Sequence, residues 1–202
     1  MPATVVDHII PHRGDSKLFW SRSNWQALCV THHSRSKQAA EKGGGDAALA
    51  RAHPFLKRAR IPVVIVCGAP GSGKSTYVDQ HKGPNDLVID LDVIRSRLAG
   101  SSLYGAGPQW TAPALDERNR ILQGLAADHV HERAWFIVSA PEREERDLWV
   151  RKLGTARVVL MPTPLEECLR RIAADPGRAG HVDRMQQAAR DWFARFERET
   201  PA

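Results

Sequence analysis

A glycine-rich loop between an apolar strand pattern and a helical pattern constrains this chain more than any other feature. The apolar run is VVIVC, Val63–Cys67, and GAPGSGKST follows it at once. This loop fits the pattern G-x-x-x-x-G-K-[ST], and the residues after it have helical spacing. Its backbone N–H groups can turn toward phosphate oxygens at the start of the helix, where the helix dipole favours an anion. The sequence therefore predicts binding of the phosphates of ATP or GTP.

Each polar residue of the loop has a chemical task in such a site. Lys74 supplies positive charge to the β- and γ-phosphates, and Ser75 offers its hydroxyl to Mg²⁺. The predicted nucleotide-binding residues all lie in the loop or in the first turn of the helix: Gly68, Gly71, Ser72, Gly73, Lys74, Ser75 and Thr76.

The rest of the larger part of the chain alternates apolar strands with helical patterns, which predicts an α/β fold with a mainly parallel sheet flanked by helices. Strands are expected at 63–67, 87–90, 134–139 and 156–161. Helices are expected at about 74–81, 93–98, 114–129, 142–153, 164–174 and 182–199. The last helix carries an apolar stripe that predicts core packing: Met185, Ala189, Trp192, Phe193 and Phe196.

A pair of carboxylates follows the second of these strands in the sequence VIDLDVIRSRL. Asp90 and Asp92 are two residues apart, so on an extended strand they would point the same way. Carboxylates at this edge of a sheet can hold Mg²⁺ and accept a proton from a hydroxyl. Asp92 could instead cap the next helix, or do both. Arg95 lies one helical turn further on and could bind an anionic group of the acceptor.

At these residues the chain resembles the small P-loop kinases, over about residues 62–198. LVIDLD is similar to the D-x-D of shikimate and gluconate kinases. The spacing of Asp92 and Arg95 resembles the D-x-x-R of polynucleotide 5′-hydroxyl kinases and zeta-toxin-like enzymes. The resemblance implies that Asp92 is the general base, Arg95 a ligand of a substrate phosphate and Asp90 a magnesium ligand. It also implies an arginine-bearing lid in RRIAADPGRAGH, with Arg171 or Arg178 as the candidate.

The third strand ends in FIVSAP and has no acidic residue at its carboxyl end. The aspartate that usually binds magnesium in motor ATPases is therefore missing there. This departure favours a phosphotransferase over a mechanical ATPase.

The first residues contain a second set of functional residue types. Asp7 and His8 stand side by side in an apolar run, Asn24 follows in SRSNWQALC, and His33 comes after it. This stretch, about 4–38, resembles the HNH (ββα-metal) nucleases of phage type, in an N-terminally truncated form. The resemblance implies that His8 activates water, that Asp7 and His33 bind a divalent metal, and that Asn24 positions the base or the metal shell.

Many HNH relatives also hold a structural zinc with two C-x-x-C pairs. Here no cysteine precedes Asp7, and the later pair reads Cys29 and His32. These two residues could ligate Zn²⁺, but two ligands alone do not close a tetrahedral site. The remaining cysteines, Cys67 and Cys168, lie in apolar patterns and are predicted to be buried thiols.

The positive charge of the chain is concentrated in its first third. Residues 1–62 contain ten Lys and Arg against four Asp and Glu, whereas the rest contains nineteen of each. A basic segment attracts phosphate backbones, so nucleic acid, DNA in particular, is the expected partner there. The alternative is a solvated basic surface.

Domain boundaries follow from a polar stretch with three consecutive glycines. It predicts an HNH-like module at 1–41, a linker at 42–61 and a kinase domain at 62–202. The chain has no apolar stretch near the roughly 20 residues of a membrane span and no secretory signal, so a cytoplasmic protein without a membrane role is expected.

These observations favour a two-module nucleic-acid enzyme, an HNH nuclease joined to a kinase that phosphorylates a hydroxyl such as a polynucleotide 5′ end. One alternative is a kinase for a small molecule or nucleotide with an inactive HNH remnant. Another is a DNA-binding protein that ATP regulates and that has no catalytic activity.

Overall fold

The computed structural model describes residues 5–8, 20–22, 25–28 and 56–197. The chain divides into two compact units, Met1–Leu49 and Ala50–Ala202. In the first unit, strand β1 (Val5–His8) pairs antiparallel with strand β2 (Trp25–Leu28), and His8 lies opposite Trp25.

The second unit is built on a four-stranded parallel sheet. Its strands are β3 (Val63–Cys67), β4 (Asp86–Asp90), β5 (Arg133–Val138) and β6 (Ala156–Leu160), in the spatial order β4-β5-β3-β6. All three pairings are parallel. The predicted α/β class, a parallel sheet flanked by helices, is confirmed.

The central strand β3 is buried along its whole length, as its five apolar residues require. Alternate residues face opposite layers. Ile65 and Phe136 belong to a core that includes residues of the second, third and fourth helices, whereas Val64 and Trp135 pack against Val78 of the first helix.

The helices follow the predicted order; the first has the predicted bounds, and the next four begin or end one to five residues away from theirs. They are α1 (Lys74–His81), α2 (Leu91–Ala99), α3 (Thr111–Gly124), α4 (Arg143–Leu153), α5 (Leu165–Ala174) and α6 (Val182–Glu197). Short 3₁₀ turns lie at Pro108–Trp110 and Pro176–Arg178.

Helix α3 ends five residues before its predicted end at residue 129. Asp128 stabilises the turn that replaces the last part, because its Oδ1 accepts hydrogen bonds from the backbone N–H groups of Val130 and His131. Short polar side chains compete with helical hydrogen bonding in this way.

The apolar stripe of α6 packs as predicted. Ala189 and Trp192 are buried against Cys168 and Ile172 of α5 and against Ala69. Trp192 also donates its indole N–H to the carbonyl of Ser139, the residue after β5, at 2.8 Å. Helices α5 and α6 are therefore fixed beside the loop that follows β3.

The two predicted buried thiols, Cys67 and Cys168, are free and buried. Burial raises the pKa of Cys67 to about 12, so this thiol stays protonated. Residues at the end of the predicted linker belong to the core of the second unit, namely Leu56, Ala59 and Ile61. In the described part of the chain, no helix combines the length and the apolar character that crossing a membrane requires.

Candidate active site at the carboxyl edge of the sheet

The glycine-rich loop joins the end of β3 to the start of α1, and two of its glycines are required by geometry. Gly73 precedes the helix with φ 88°, and Gly71 has φ 79°. A Cβ at Gly71 would lie 2.5 Å from the backbone oxygen of Cys168 in α5. The loop can therefore approach α5 closely only because residue 71 has no side chain.

Lys74 lies folded into the loop. Its Nζ donates hydrogen bonds to the backbone oxygens of Gly68 and Ala69, both at 2.8 Å. Burial lowers the pKa of Lys74, and the nearby charges of Asp90 and Asp92 oppose that shift. The ammonium group is thus held at the loop, close to two carboxylates.

A second contact fixes the loop to the segment that follows the neighbouring strand β6. The Thr163 hydroxyl, just beyond β6, donates to the backbone oxygen of Ser72 at 2.8 Å. The Ser72 hydroxyl itself is buried and has no hydrogen-bond partner among the described residues.

Ser75 and Asp90 bring together oxygen ligands from the loop and from β4. The Ser75 Oγ donates to Asp90 Oδ2 at 3.3 Å. Burial raises the pKa of Asp90, and the charge of Asp92 adds to this effect. A hydroxyl and partly desolvated carboxylates are ligands that Mg²⁺ accepts, so these residues fit the ion that accompanies a nucleotide triphosphate.

The expected placement of the two carboxylates on one strand is wrong. Strand β4 ends at Asp90, and α2 begins at Leu91, so Asp92 lies in the first helical turn. Asp90, not Asp92, caps this helix, because its Oδ1 accepts the Asp92 backbone N–H at 2.9 Å. The side chain of Asp90 satisfies one of the free N–H groups at the helix start, and the helix therefore begins earlier than apolar spacing indicates.

Arg95 lies beside Asp92, one helical turn along α2. Its Nη1 is 3.8 Å from Asp92 Oδ1, and its Nη2 donates to the backbone oxygen of Ala106 at 2.9 Å. The two residues of the D-x-x-R pattern are thus in contact.

The two lid candidates occupy different places. Arg171 lies at the loop, where its Nη1 would be 3.1 Å from a Cβ on Gly73. Its Nε contacts Glu167 at 2.6 Å, and hydrogen bonds from Arg170 and Arg171 lower the pKa of Glu167 to about 2. Arg178 lies in the 3₁₀ turn after α5 and donates to the Tyr104 hydroxyl at 3.0 Å.

Sequence reasoning missed two residues of this region, Thr163 and Tyr104. Thr163 follows a strand in MPTP, and no spacing distinguishes it from an ordinary loop residue. Tyr104 is the one aromatic residue in the sequence GSSLYGAG, which is the only signal that could have drawn attention to it.

Other predicted residues are less informative. Thr76 lies exposed in the first turn of α1. Asp7 and His8 lie in β1. The remaining nuclease and zinc candidates lie outside the described residues: Asn24, Cys29, His32 and His33. Within the described ranges, no group of three or more His, Cys, Asp or Glu residues is arranged to hold a metal ion.

A phosphate-binding loop after the central strand of a parallel sheet, with carboxylates at the neighbouring strand end, defines a P-loop nucleotide-binding domain of kinase-like fold. Residues 63–198 match the AAA domain family, and the chain belongs to it.

Several solved structures are similar to this chain. One is a chain of the Pnkp1/Rnl/Hen1 RNA repair complex, with 16% identity and a TM-score of 0.46, covering 71% of this chain and 49% of that one. Another is shikimate kinase from Acinetobacter baumannii in complex with shikimate, with 18% identity and a TM-score of 0.44, covering 70% and 81%. A third is the AvrRxo1-ORF1:-ORF2 complex, with 14% identity and a TM-score of 0.43, covering 98% and 66%. The similar region thus spans about half of the RNA repair chain. No curated protein matches the chain.

Proposed function

We propose that the second unit is an ATP-dependent kinase that transfers the γ-phosphoryl group to a hydroxyl, and that the acceptor is the 5′-hydroxyl of a polynucleotide. The observation that carries this proposal is the convergence of donor and acceptor groups at one sheet edge. The charges of Asp90 and Asp92 act on Lys74 of the loop, and Ser75 donates a hydrogen bond to Asp90.

The residues divide into a donor side and an acceptor side. On the donor side, the loop N–H groups and Lys74 bind the triphosphate, and Arg171 adds charge next to Gly73. Ser75 and Asp90 would hold Mg²⁺, which neutralises charge on the β- and γ-phosphates when bound.

On the acceptor side, Asp92 is the general base. It takes the proton of the acceptor hydroxyl, whose oxygen attacks the γ-phosphorus of ATP. The bond from that phosphorus to the β–γ bridging oxygen breaks, and ADP leaves with its electron pair. The products are the phosphorylated acceptor, ADP and a proton released from Asp92.

The position of Arg95 supports a polynucleotide acceptor. A 5′-terminal nucleotide carries its own phosphodiester a few bonds from the hydroxyl, so a cation next to the base can bind the acceptor and orient it at once. Arg95 meets this requirement because it contacts Asp92 at 3.8 Å. The excess positive charge of residues 1–62 supports the same class of acceptor.

The test is transfer of radiolabelled phosphate from ATP to a 5′-hydroxyl oligonucleotide, run beside a panel of small-molecule alcohols and nucleosides. We expect labelling of the oligonucleotide and its loss in Asp92→Asn, with ATP binding retained in calorimetry. Asp183→Asn, which alters an exposed carboxylate of α6, is the matched control and should transfer phosphate like the wild type.

Each alternative gives a different result. Labelling of a small molecule alone would replace the polynucleotide acceptor with that compound. ATP binding without transfer to any acceptor would favour the regulated DNA-binding protein. An Asp92→Asn variant as active as the wild type would show that the base is another group.

For the first unit we propose a metal-dependent nuclease of HNH type. Its support is the resemblance at Asp7 and His8, together with the antiparallel pairing of the strand that carries them. Plasmid nicking with Mg²⁺ or Mn²⁺ tests it. We expect loss of nicking in His8→Ala and retention in Lys74→Ala, which removes a group of the kinase site only. Equal nicking by wild type and His8→Ala would refute the assignment of the base.

A further inference from the structure

The segment Ser101–Gly107, named here the acceptor loop, follows α2 and contains a residue that the proposed function does not use. Tyr104 has φ 69°, a left-handed backbone conformation that residues other than glycine rarely adopt. Such conformations persist where surrounding contacts hold the residue, and they are frequent at functional sites.

The contacts that hold Tyr104 come from Arg178, 74 positions further along the chain. Arg178 Nη2 donates to the Tyr104 hydroxyl at 3.0 Å, and the guanidinium carbon is 4.8 Å from the ring centroid. Arg178 Nε also lies 2.8 Å from Asp175 Oδ2, and only 15% of the arginine side chain is exposed. Arg178 is therefore fixed by the acceptor loop on one side and by its own 3₁₀ turn on the other.

The charges of the candidate site act on Tyr104. Burial raises the pKa of Tyr104, the charge of Arg178 opposes this, and the charges of Asp92 and Asp90 raise the pKa further. The acceptor loop also binds Arg95 through the backbone oxygen of Ala106. One loop thus contacts both Arg178 and Arg95, and Arg95 in turn contacts Asp92.

The Nη1 nitrogen of the Arg178 guanidinium takes no part in these contacts. A guanidinium group has five N–H donors. The Nη1 atom is buried and finds no hydrogen-bond partner among residues 56–197 or the shorter described stretches. Nη2 therefore donates to Tyr104, Nε lies in an ion pair with Asp175 without making a hydrogen bond there, and Nη1 is left for a ligand.

We propose that Tyr104 is a positioning residue, which holds Arg178 at the acceptor loop so that its Nη1 binds an oxygen of the transferring phosphoryl group. This proposal rests on the proposed kinase function. It predicts that loss of the Tyr104 hydroxyl acts only through Arg178.

The first arm of the test does not need kinase activity. Full-length protein is treated with phenylglyoxal, and modification of Arg178 is quantified by mass spectrometry. We expect modification of Arg178 to rise several-fold in Tyr104→Phe. Modification of Arg170, whose side chain is 71% exposed, should stay constant. Tyr77→Phe, which changes the other tyrosine of the chain, should leave Arg178 protected.

The second arm is a double-mutant cycle in the phosphate-transfer assay. Tyr104→Phe should lower kcat about tenfold, the factor expected for one hydrogen bond to a charged group, with the ATP dissociation constant unchanged. In an Arg178→Ala background the same change should have no further effect.

The two arms separate the possible failures. Unchanged modification of Arg178 in Tyr104→Phe would overturn the proposal whatever the enzyme does. The proposal would also be overturned if modification of Arg178 rose but the double variant lost kcat by the product of the two single losses. Tyr104 would then act independently of Arg178. A wild type that transfers phosphate to no acceptor would refute the kinase function and with it the role of Nη1, while the modification arm would still decide whether Tyr104 holds Arg178.

Discussion

Replacement of Gly71 by alanine tests the packing of the phosphate loop against α5. The new Cβ would lie 2.5 Å from the backbone oxygen of Cys168 and 2.9 Å from Ile172 Cγ1. Backbone cannot move aside as a flexible side chain does, so either the loop or α5 must shift. Because α5 carries Arg171, a shift would disturb the triphosphate site as well as stability.

Two terms contribute to the loss of stability. A left-handed conformation costs an alanine about 1 to 2 kcal/mol, and overpacking in a rigid site costs about 1 to 3 kcal/mol. Gly71→Ala should therefore lower the free energy of unfolding by about 2 to 5 kcal/mol, the sum of the two terms.

Two other glycines allow the conformational cost to be measured without the overpacking cost. Gly100 has φ 60°, but a Cβ there would meet no described atom within 4 Å, so Gly100→Ala should show only the conformational cost of about 1 to 2 kcal/mol. Gly124, the last residue of α3, also faces open space, and its replacement by alanine should raise stability by up to about 1 kcal/mol.

Urea unfolding gives the free energies, and calorimetry with ATP and Mg²⁺ gives nucleotide affinity. We expect weaker nucleotide binding in Gly71→Ala alone. The reasoning is refuted if Gly71→Ala is no less stable than Gly100→Ala and binds ATP like the wild type.

Three further predictions concern the same site. Because burial raises the pKa of Asp90 above its unfolded value, its proton-dependent stability is complete at low pH and is lost as pH rises through the folded pKa. Without Mg²⁺, the unfolding free energy of the wild type should therefore decline relative to that of Asp90→Asn as pH rises above about 4; a difference independent of pH would contradict this. Thr163→Val should cost about 1 to 3 kcal/mol in urea unfolding, because the buried oxygen of Ser72 loses its donor, and an unchanged midpoint would argue against it. Arg171→Gln should weaken ATP binding about tenfold in calorimetry, whereas Arg170→Gln, the matched change of the other arginine bound to Glu167, should leave it unchanged; equal affinities would remove Arg171 from the site.

The sequence by itself determined the order of strands and helices in the second unit and the identity of the phosphate loop. These features depend on local physics. Val63–Cys67 is apolar throughout because a central parallel strand is buried on both faces, and the loop needs glycines wherever its backbone turns or approaches a neighbour. Such requirements act on consecutive residues and are therefore visible in the chain.

Only the tertiary structure decided how the site is assembled. Asp90 caps the helix because its carboxylate accepts a hydrogen bond from the backbone N–H of Asp92. This contact depends on where the strand ends, because the end of the strand sets the direction of the Asp90 side chain. Arg171 and Arg178 were equivalent in the sequence, but the packing of α5 placed one at Gly73 and the next turn placed the other on Tyr104. Contacts between residues 74 positions apart depend on how whole elements pack, which the spacing of residue types along a chain does not encode.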